Sequence, residues 1–458
     1  MRDFTNCDAV SGVERIAYLI SRLTVLAPDE HGPLDALIDY AALVAAGDVA
    51  GAYRLYHTLA RKLITCGARR VSGDLLMDYL LSVVVEREHP FAVMAAAGRL
   101  DEPEGLALRA DLSALGELAT LTSGDLVRMA QERKSELQMK SRYPKDDISA
   151  MSTALWSGKP LPQPPLVDKE KGEKPRPQPM QASSLPPEAE WLPFRYGEAG
   201  LHGEWAADEA LEEVYARLMK SPDWKSLADD LWNLFATCGS GRFLRSRAFA
   251  LRGGELECVG APQWLCPVSV YDRQRTALSE NVIAFMRAES DTPVIVYGPA
   301  SCGKTAMMCD LAEDFPELRM VFVDDHKNAD LGALMETLRA QPLRFLLLFD
   351  ALDGVTPNLR ALIRQVCETA VPGNVLIAAT ARELPEAGLF PLAIELCYPR
   401  IAEFTDTVCE LVEATENAPC PDHAEIRSMC VDYQVDAHEK LTMAAAVMLA
   451  EKYAKKQN

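Results

Sequence analysis

Residues 293–305 read PVIVYGPASCGKT, and this stretch decides the fold. The apolar run PVIVYG is typical of a buried strand, and the residues that follow it match the pattern GxxxxGK[ST], a loop that cradles phosphate groups. Its glycines let the backbone turn tightly, so that N–H groups point inward, while the next helix presents its positive end. The sequence therefore predicts a strand, a phosphate loop and a helix in that order.

The phosphate loop supplies the predicted nucleotide-binding residues. We expect Lys304 to neutralise the β and γ phosphates and the Thr305 hydroxyl to bind Mg²⁺. Cys302 lies at a helix N-terminus, which favours a lowered thiol pKa, although a small residue that merely fits the loop is the alternative. The loop as a whole consists of Gly298, Pro299, Ala300, Ser301, Cys302, Gly303, Lys304 and Thr305.

Short apolar strands alternate with helical segments from residue 293 to residue 399. Fully apolar strands separated by crossover helices indicate a parallel sheet that is covered on both faces. The predicted core is therefore an α/β P-loop NTPase fold with five parallel strands. The five strands have the sequences PVIVYG, MVFVDD, FLLLFD, NVLIAAT and AIELCYP.

The strand FLLLFD ends in Asp350, which provides a second candidate site residue. An acid at the tip of a buried strand beside a phosphate loop can hold the hydration shell of Mg²⁺, and we expect Asp350 and Thr305 to share that metal. The alternative is a solvated strand end or a helix cap. The phosphate loop upstream favours the metal site.

The rest of the chain divides by composition. Apolar residues recur at helical spacing up to about Leu137, whereas a proline-rich segment then excludes regular helix and central strand. We expect this segment to be an extended linker that proteases cleave readily. The predicted layout is an all-α domain over 1–140, the linker over 141–187, a helical lead-in over 188–290, the P-loop core over 291–400 and a short helical lid over 401–458.

Charge and composition exclude several function classes. With 67 acidic and 47 basic residues the net charge is -20, which disfavours charge-driven binding to nucleic acid or anionic lipid. No apolar run approaches the ~20 residues that span a bilayer, so no membrane partner is expected. The 12 cysteines form no CxxC pair, and we expect reduced thiols and a cytoplasmic location.

One local exception to the acidic character is the segment CGSGRFLRSRAFALRGG. Its arginines either neutralise nearby acids or contact phosphate groups, and charge alone does not decide between these alternatives. The four arginines are Arg242, Arg245, Arg247 and Arg252.

Several stretches resemble an uncharacterised family of predicted bacterial AAA+ ATPases, of the domain-of-unknown-function 815 type. The resemblance lies in YDRQRTALSENVIAFM, the phosphate loop, LRMVFVDDHKNADLGALMETLRAQPLRFLLLFDALD and PGNVLIAATAREL, with further similarity in EREHPFAVMAAAG and CGSGRFLRSRAFAL. It implies a helical N-terminal part, a P-loop α/β core of AAA+ type and a small helical lid, with ATP and Mg²⁺ as cofactors. It implies no substrate.

The sequence departs from that family pattern where catalysis would occur. Asp350 is followed by Ala351, so the carboxylate that would polarise the attacking water is missing from its usual place. Where a polar residue would sense the γ-phosphate, only Thr380 and Arg382 could substitute. Asp353 is the nearest replacement base, and Glu368 is an alternative.

Two further parts of the expected machinery are also altered. The lid has no arginine around residues 436–440, where a contact with phosphate would be expected. An arginine finger acting on a neighbouring subunit would come from Arg360 or Arg364, although both are equally well explained as exposed helix charges.

These features predict an ATP-binding AAA+ type ATPase that is slow or activated by a partner, and that couples nucleotide state to a conformational or assembly change. We expect an unidentified protein partner or substrate and an ATP-dependent homo-oligomer. The alternatives are a nucleotide-binding pseudo-ATPase scaffold and a DNA-associated ATPase of the loader kind. Phosphate release separates the first two, and salt-dependent DNA binding identifies the third.

Overall fold

The computed structural model describes most of the chain and divides it into two compact units. The helical unit comprises Met1–Phe91, Leu100–Glu204 and Glu209–Leu234, and the sheet unit comprises Ala92–Arg99, Trp205–Asp208 and Phe235–Asn458. The described residues are 4, 9–99, 102–142, 191–197, 208–260, 268–323, 330–352, 372–384, 389–415, 420–437 and 440–457.

Helices dominate the chain up to the sheet, as the apolar periodicity predicts. Among these described residues no helix is both long and apolar enough to cross a bilayer. The helices are α1 (Ala9–Ser21), α2 (Pro33–Ala46), α3 (Val49–Thr65), α4 (Leu75–Val85), α5 (Pro90–Ala96), α6 (Glu102–Leu118), α7 (Ser123–Arg142), α8 (Asp208–Lys220), α9 (Ala228–Cys238) and the short α10 (Arg242–Arg245), with a 3₁₀ turn at Trp224–Leu227.

Side-chain carboxylates fix several of these helix ends. Asp74 caps α4 by accepting hydrogen bonds from the backbone N–H groups of Leu76 and Met77, and Asp48 caps α3 by accepting one from Gly51. Such caps satisfy donors that the first helical turn leaves without an internal partner. They explain why α3 and α4 begin where they do.

Residues 191–196, which we call the strap, pack against the N-terminal helices of the helical unit. The Trp191 ring lies edge-on to Tyr53 and Tyr56, with centroids 4.9 and 4.8 Å away, and Phe194 stacks on Tyr56 at 5.2 Å. The Tyr56 hydroxyl also donates to the carbonyl of Leu192 at 2.6 Å. Because Trp191 and Phe194 are almost fully buried, the strap is part of the helical core.

Helices α8 and α9 also contact the earlier helices. The Tyr215 hydroxyl donates to Glu86 at 2.5 Å, and Arg109 pairs with Asp229 at 2.7 Å. The described residues on both sides of the proline-rich segment therefore belong to one unit. The domain layout expected from composition had instead assigned the residues after this segment to a lead-in to the P-loop core.

The described residues of the sheet unit form seven strands, not the expected five. Their order across the sheet is β2-β1-β4-β5-β6-β3-β7, and every pairing is parallel except that of β1 with β2. The strands are β1 (Ala248–Arg252), β2 (Glu255–Val259), β3 (Val294–Tyr297), β4 (Leu318–Val323), β5 (Arg344–Phe349), β6 (Val375–Ala381) and β7 (Leu392–Glu395).

The two additional strands form a hairpin inside the segment that was expected to be helical. Gly253 and Gly254 both adopt positive φ, as a tight hairpin turn requires, and β1 then extends the sheet by pairing in parallel with β4. The other five strands lie where the apolar runs predict them. The expected five-stranded sheet is therefore wrong in its count and correct in those five positions.

Helices cover both faces of the sheet, as fully apolar strands require. On β5, Leu346 and Leu348 join one buried cluster, while Phe345, Leu347 and Phe349 join the other. Side chains alternate between faces along a strand, so both faces of β5 are buried. The helices of this unit are α11 (Asp272–Met286), α12 (Lys304–Asp314), α13 (Leu331–Arg339), α14 (Ile401–Glu413), α15 (His423–Ala437) and α16 (Met443–Gln457).

The placement of the strap gives the first prediction. Cleavage of the native chain within residues 143–190, which lie outside the described part of the structure, should leave two fragments that stay associated in gel filtration. The reason is that Trp191, Phe194 and Tyr215 all pack against helices encoded before the cut.

Trp191→Ala should release the cleaved fragments more readily, since removing a buried aromatic ring costs about 3–5 kcal/mol. Leu192→Ala is the matched control, because that side chain is exposed. Immediate separation of the two wild-type fragments would contradict this prediction. Residues after the cleavage site would then not pack against residues before it.

Candidate functional site

The candidate site lies at the edge of the sheet where the parallel strands end. The phosphate loop follows β3, Asp350 follows β5, and Thr380 is near the end of β6. Strand β6 lies between β3 and β5 in the sheet, and Val296 pairs with Thr380 across β3 and β6. Ligands of open α/β sheets bind at this edge, beyond the carboxyl ends of the strands.

Two positions of the phosphate loop require glycine. Gly298 has φ 141°, and a Cβ atom there would lie 2.0 Å from the carbonyl oxygen of Leu396. Gly303 has φ 89° and is the N-cap of α12. Both conformations are in the region that residues with a Cβ atom adopt rarely. The loop therefore depends on the two glycines of its sequence pattern.

The Lys304 ammonium group is held by its own loop. It donates to the carbonyl oxygens of Gly298 at 2.9 Å and Pro299 at 2.6 Å. The side chain is half-buried and folds over the loop that was predicted to hold phosphate. A phosphate group offers anionic acceptors, which form stronger hydrogen bonds with an ammonium group than neutral carbonyls do. A bound phosphate would therefore replace the two loop carbonyls as the partner of Lys304.

Asp350 is joined to both neighbouring elements through one oxygen. Its Oδ1 atom accepts hydrogen bonds from the hydroxyls of Thr305 at 2.8 Å and Thr380 at 2.5 Å. The Thr380 oxygen also accepts a hydrogen bond from the backbone N–H of Ala351 at 2.9 Å. The structure thus brings together the two residues predicted to bind Mg²⁺ and one of the two candidate γ-phosphate sensors.

The residues at this point fit a magnesium ion. Thr305 and Asp350 offer a hydroxyl and a carboxylate oxygen, which are the hard ligands that Mg²⁺ prefers, and they already lie within hydrogen-bond distance of each other. Mg²⁺ usually retains several water ligands and needs only one or two protein groups besides the phosphates of a nucleotide. The Thr305 hydroxyl and the Asp350 carboxylate are therefore enough protein ligands for a Mg²⁺ ion that also binds water and nucleotide phosphates.

Thr380, a candidate γ-phosphate sensor, makes hydrogen bonds within the protein. It is only 1% exposed, and its hydroxyl is engaged with Asp350 and Ala351. Thr380 therefore orients Asp350 and the turn after β5. Arg382 follows the end of β6 and is exposed. Asp353, Glu368, Arg360 and Arg364 lie outside the described residues, and their roles stay predictions.

Ala351 directly follows Asp350, the candidate ligand of Mg²⁺. It is exposed and has φ 52°, a conformation in which a side chain with a Cβ atom is strained. No carboxylate replaces it within the described residues after β5, which end at Leu352. This part of the site can hold a metal but shows no group that takes a proton from water.

The expectation of a reactive Cys302 is wrong. The side chain is 0% exposed, and burial is the main cause that raises the pKa of its thiol, with the Lys304 charge opposing this shift. A raised thiol pKa lowers the fraction of the nucleophilic thiolate. The loop uses cysteine here as a small buried residue, which was the alternative interpretation.

Cys302 should therefore react slowly with iodoacetamide, whether or not Mg-ATP is present. Cys258, Cys397 and Cys420 are exposed and serve as internal controls that should be labelled much faster. Mass-spectrometric mapping of the native protein measures all four rates. Labelling of Cys302 as fast as that of the exposed cysteines would contradict its burial.

Residues of the C-terminal helices contact the phosphate loop. The backbone N–H of Met443, the first residue of α16, donates to the carbonyl of Ser301 at 2.9 Å. The Tyr398 hydroxyl donates to the carbonyl of Ala300 at 3.0 Å, and the Lys440 ammonium lies 5.4 Å from the centre of the Tyr398 ring. Sequence reasoning did not identify these contacts, because nothing in the local pattern at Tyr398 or Met443 signals a partner 98 or more residues earlier.

The arginine segment does not form one basic cluster. Arg242 donates to the backbone carbonyl of Leu256, and Arg252 pairs with Glu257 at 3.5 Å. The second of these contacts matches the interpretation that the arginines neutralise nearby acids. Arg247 has no ion pair with a described carboxylate.

Residues 246–384 match the model of a family described as "Protein of unknown function (DUF815)". The match covers the strands from β1 to β6 together with the phosphate loop and Asp350. The family resemblance found in the sequence is thereby confirmed for this segment. No curated protein matches the chain.

Solved structures with similar folds include RuvB of Thermotoga maritima, a Holliday junction branch migration motor, at 16% identity and a TM-score of 0.33. The match covers 41% of this chain and 65% of that one. Cdc6p from Pyrobaculum aerophilum matches at 13% identity with a TM-score of 0.31, over 37% of this chain and 56% of that one. The chain thus spans less than two thirds of either solved protein.

Proposed function

We propose that this protein binds ATP with Mg²⁺ and is a slow or partner-activated ATPase of AAA+ type. The observation that carries the proposal is the hydrogen bond from Thr305 to Asp350, because it brings the helix after the phosphate loop to the acid at the tip of β5. A phosphate loop without such an acid is a phosphate site, whereas the two together can hold a metal nucleotide.

Each group of the site has a distinct task in this proposal. The backbone N–H groups of the loop and the Lys304 ammonium bind the phosphates, while Thr305 and Asp350 hold Mg²⁺, which supplies charge neutralisation when bound. Thr380 keeps Asp350 oriented. The Leu396 N–H donates to the Tyr297 carbonyl at 2.8 Å, which keeps the start of the loop against the end of β7.

Nucleotide state would act on the C-terminal helices through the loop. The Met443 N–H and the Tyr398 hydroxyl both donate to loop carbonyls, so a phosphate that rearranges the loop also changes these contacts. Such a coupling is how phosphate contacts order neighbouring segments in nucleotide switches. A conformational or assembly change, including an ATP-dependent homo-oligomer, would follow from it and would act on a still unidentified protein partner.

The alternative is a pseudo-ATPase scaffold that binds ATP without turnover, and Ala351 is the observation that favours it. A missing general base typically costs about 10²–10⁴-fold in rate. A DNA-associated loader has less support, because Arg242 and Arg252 are engaged within the protein and the net charge is -20.

ATP binding should stabilise the protein through the phosphate loop. A ligand that binds only the folded state adds about 2.7 kcal/mol at 100 times its dissociation constant, which corresponds to a rise of roughly 5–10 °C in Tm for a unit of this size. Lys304→Ala should abolish that rise, and Asp350→Asn should remove its dependence on magnesium.

Lys452→Ala is the matched control, since it removes an exposed lysine of the C-terminal helix. Calorimetric scans with ATP, with and without magnesium, measure these effects. If ATP does not change the Tm of the wild-type protein, the proposal of nucleotide binding is wrong.

The rate of ATP hydrolysis should rise when a carboxylate is introduced at position 351. Ala351→Glu is expected to raise the rate of phosphate release by about 10-fold or more, because it places an acid directly after the metal-binding Asp350. Ala351→Gln is the control of equal size and the same backbone demand. Its rate should stay at the wild-type value.

Fast wild-type hydrolysis that Ala351→Glu leaves unchanged would show that another group supplies the base. Asp353 or Glu368, or a residue from a neighbouring subunit, would then be tested in turn. No hydrolysis in any variant, combined with normal ATP binding, would favour the scaffold over the enzyme.

A further inference from the structure

Arg319 is a buried cation with no acidic partner among the described residues. It lies on β4 and is only 3% exposed. One guanidinium nitrogen, Nη1, donates to the backbone carbonyl of Pro316 at 2.8 Å, whereas Nε is buried and has no hydrogen-bond partner. Arg319 forms no ion pair with any carboxylate in the part of the chain that the structure describes. A buried charge without a counter-charge is costly.

The surroundings of Arg319 increase this cost. Burial is the main cause that lowers its pKa to about 10, and the positive charge of Arg247 lowers it further. The Cys238 thiol and Glu317 act in the opposite direction, but neither forms an ion pair or hydrogen bond with the guanidinium. At neutral pH Arg319 is still charged, since a pKa of about 10 lies well above 7.

Arg247 lies beside Arg319 in the neighbouring strand. Strands β1 and β4 pair in parallel with Ala248 opposite Met320, so the preceding residues, Arg247 and Arg319, are also opposite one another. The Met320 N–H donates to the Arg247 carbonyl at 2.8 Å, which extends the ladder to this point. Residues opposite one another in adjacent parallel strands project from the same face, and the strands are about 4.8 Å apart.

Other arginines of the sheet unit show that acids are available. Arg275 pairs with Asp314 at 2.9 Å, Arg339 with Glu336 at 2.8 Å, and Arg252 with Glu257 at 3.5 Å. Arg319 differs from these arginines because it is almost fully buried and its Nε atom has no hydrogen-bond partner.

We propose that Arg247 and Arg319 bind a small phosphate-bearing anion at the edge of the sheet where β1 and β4 begin. Two guanidinium groups on one face present planar forks of N–H donors that match the oxygens of a phosphate group. The nucleotide site lies at the opposite edge, where the parallel strands end, so the two sites are separate and a strand length apart.

The burial of Arg319 limits the size of the anion that can reach it. A group that reaches Arg319 must approach from the side of Arg247, which is exposed. A phosphate or a terminal phosphate ester is small enough for this approach. A polynucleotide would need a broad basic surface, which the net charge of -20 opposes.

The test uses the full-length protein carrying Lys304→Ala, so that phosphate binding at the nucleotide loop is weakened. Sodium phosphate or pyrophosphate, compared with sodium chloride of equal ionic strength, should raise Tm by roughly 5–10 °C when the anion exceeds its dissociation constant about 100-fold. Adding Arg247→Gln should remove most of this rise. Arg252→Gln, which makes the same charge change at the other end of β1, should retain it.

A second variant tests the buried arginine without relying on ligand response alone. In phosphate-free buffer Arg319→Met should be at least as stable as its parent, because replacing an unpaired buried charge by an apolar side chain is often neutral or stabilising. Phosphate should then add nothing. A large loss of stability for Arg319→Met in phosphate-free buffer would show that Arg319 is already satisfied within the protein, and would overturn the proposal.

Two further results would also overturn it. The first is the same phosphate response in Arg247→Gln and Arg252→Gln, or no response in any protein. The second is binding of duplex DNA that depends on Arg247 and is not matched by any response to phosphate or pyrophosphate, since the ligand would then be a polynucleotide.

Discussion

The candidate site depends on the carboxylate of Asp350, whose Oδ1 atom accepts hydrogen bonds from two threonines on different elements. Thr305 belongs to the helix that follows the phosphate loop, and Thr380 belongs to β6. Because buried hydroxyl-to-carboxylate bonds are strong and directional, the three side chains fix the ends of β5 and β6 relative to the loop. A metal nucleotide needs this alignment before it binds.

The same network explains the unusual backbone after β5. Thr380 accepts a hydrogen bond from the Ala351 N–H, so the turn that begins with positive φ at Ala351 is held by a side chain. Thr380, one of the two candidate phosphate sensors, thus contacts both Asp350 and the turn that follows it. Under the proposed function, binding and turnover are separable, since the phosphate loop, Thr305 and Asp350 would hold the nucleotide whereas position 351 has no carboxylate that would activate water.

Sequence patterns predicted the central strands and the loop because their signals are local. The apolar runs of β3 to β7 and the glycines of the loop are visible in a few residues, and the structure shows why Gly298 and Gly303 are needed. The hairpin of β1 and β2 also has a local signal, a Gly-Gly turn followed by the alternating sequence ELECV, although the arginines around this turn give the segment the charge pattern of an exposed surface.

Other features could not be predicted because they depend on contacts between distant parts of the chain. Proline content shows that a segment is irregular, but it does not show that Trp191 and Phe194 return to helices formed more than 100 residues earlier. The Cys302 pKa likewise depends on burial rather than on position in a motif. The lack of an acid beside Arg319 becomes visible only when the register of β1 and β4 is known.

The most direct test of the central claim is pulsed EPR of the full-length protein with Mn²⁺ in place of Mg²⁺ and a non-hydrolysable ATP analogue. The account predicts a protein-bound Mn²⁺ signal with phosphorus couplings from the nucleotide, and loss of the bound signal in Thr305→Ala and Asp350→Ala. Bound Mn²⁺ whose spectrum is the same in the wild type and in both variants would contradict the assignment of Thr305 and Asp350 to the metal, and so would the absence of any bound signal.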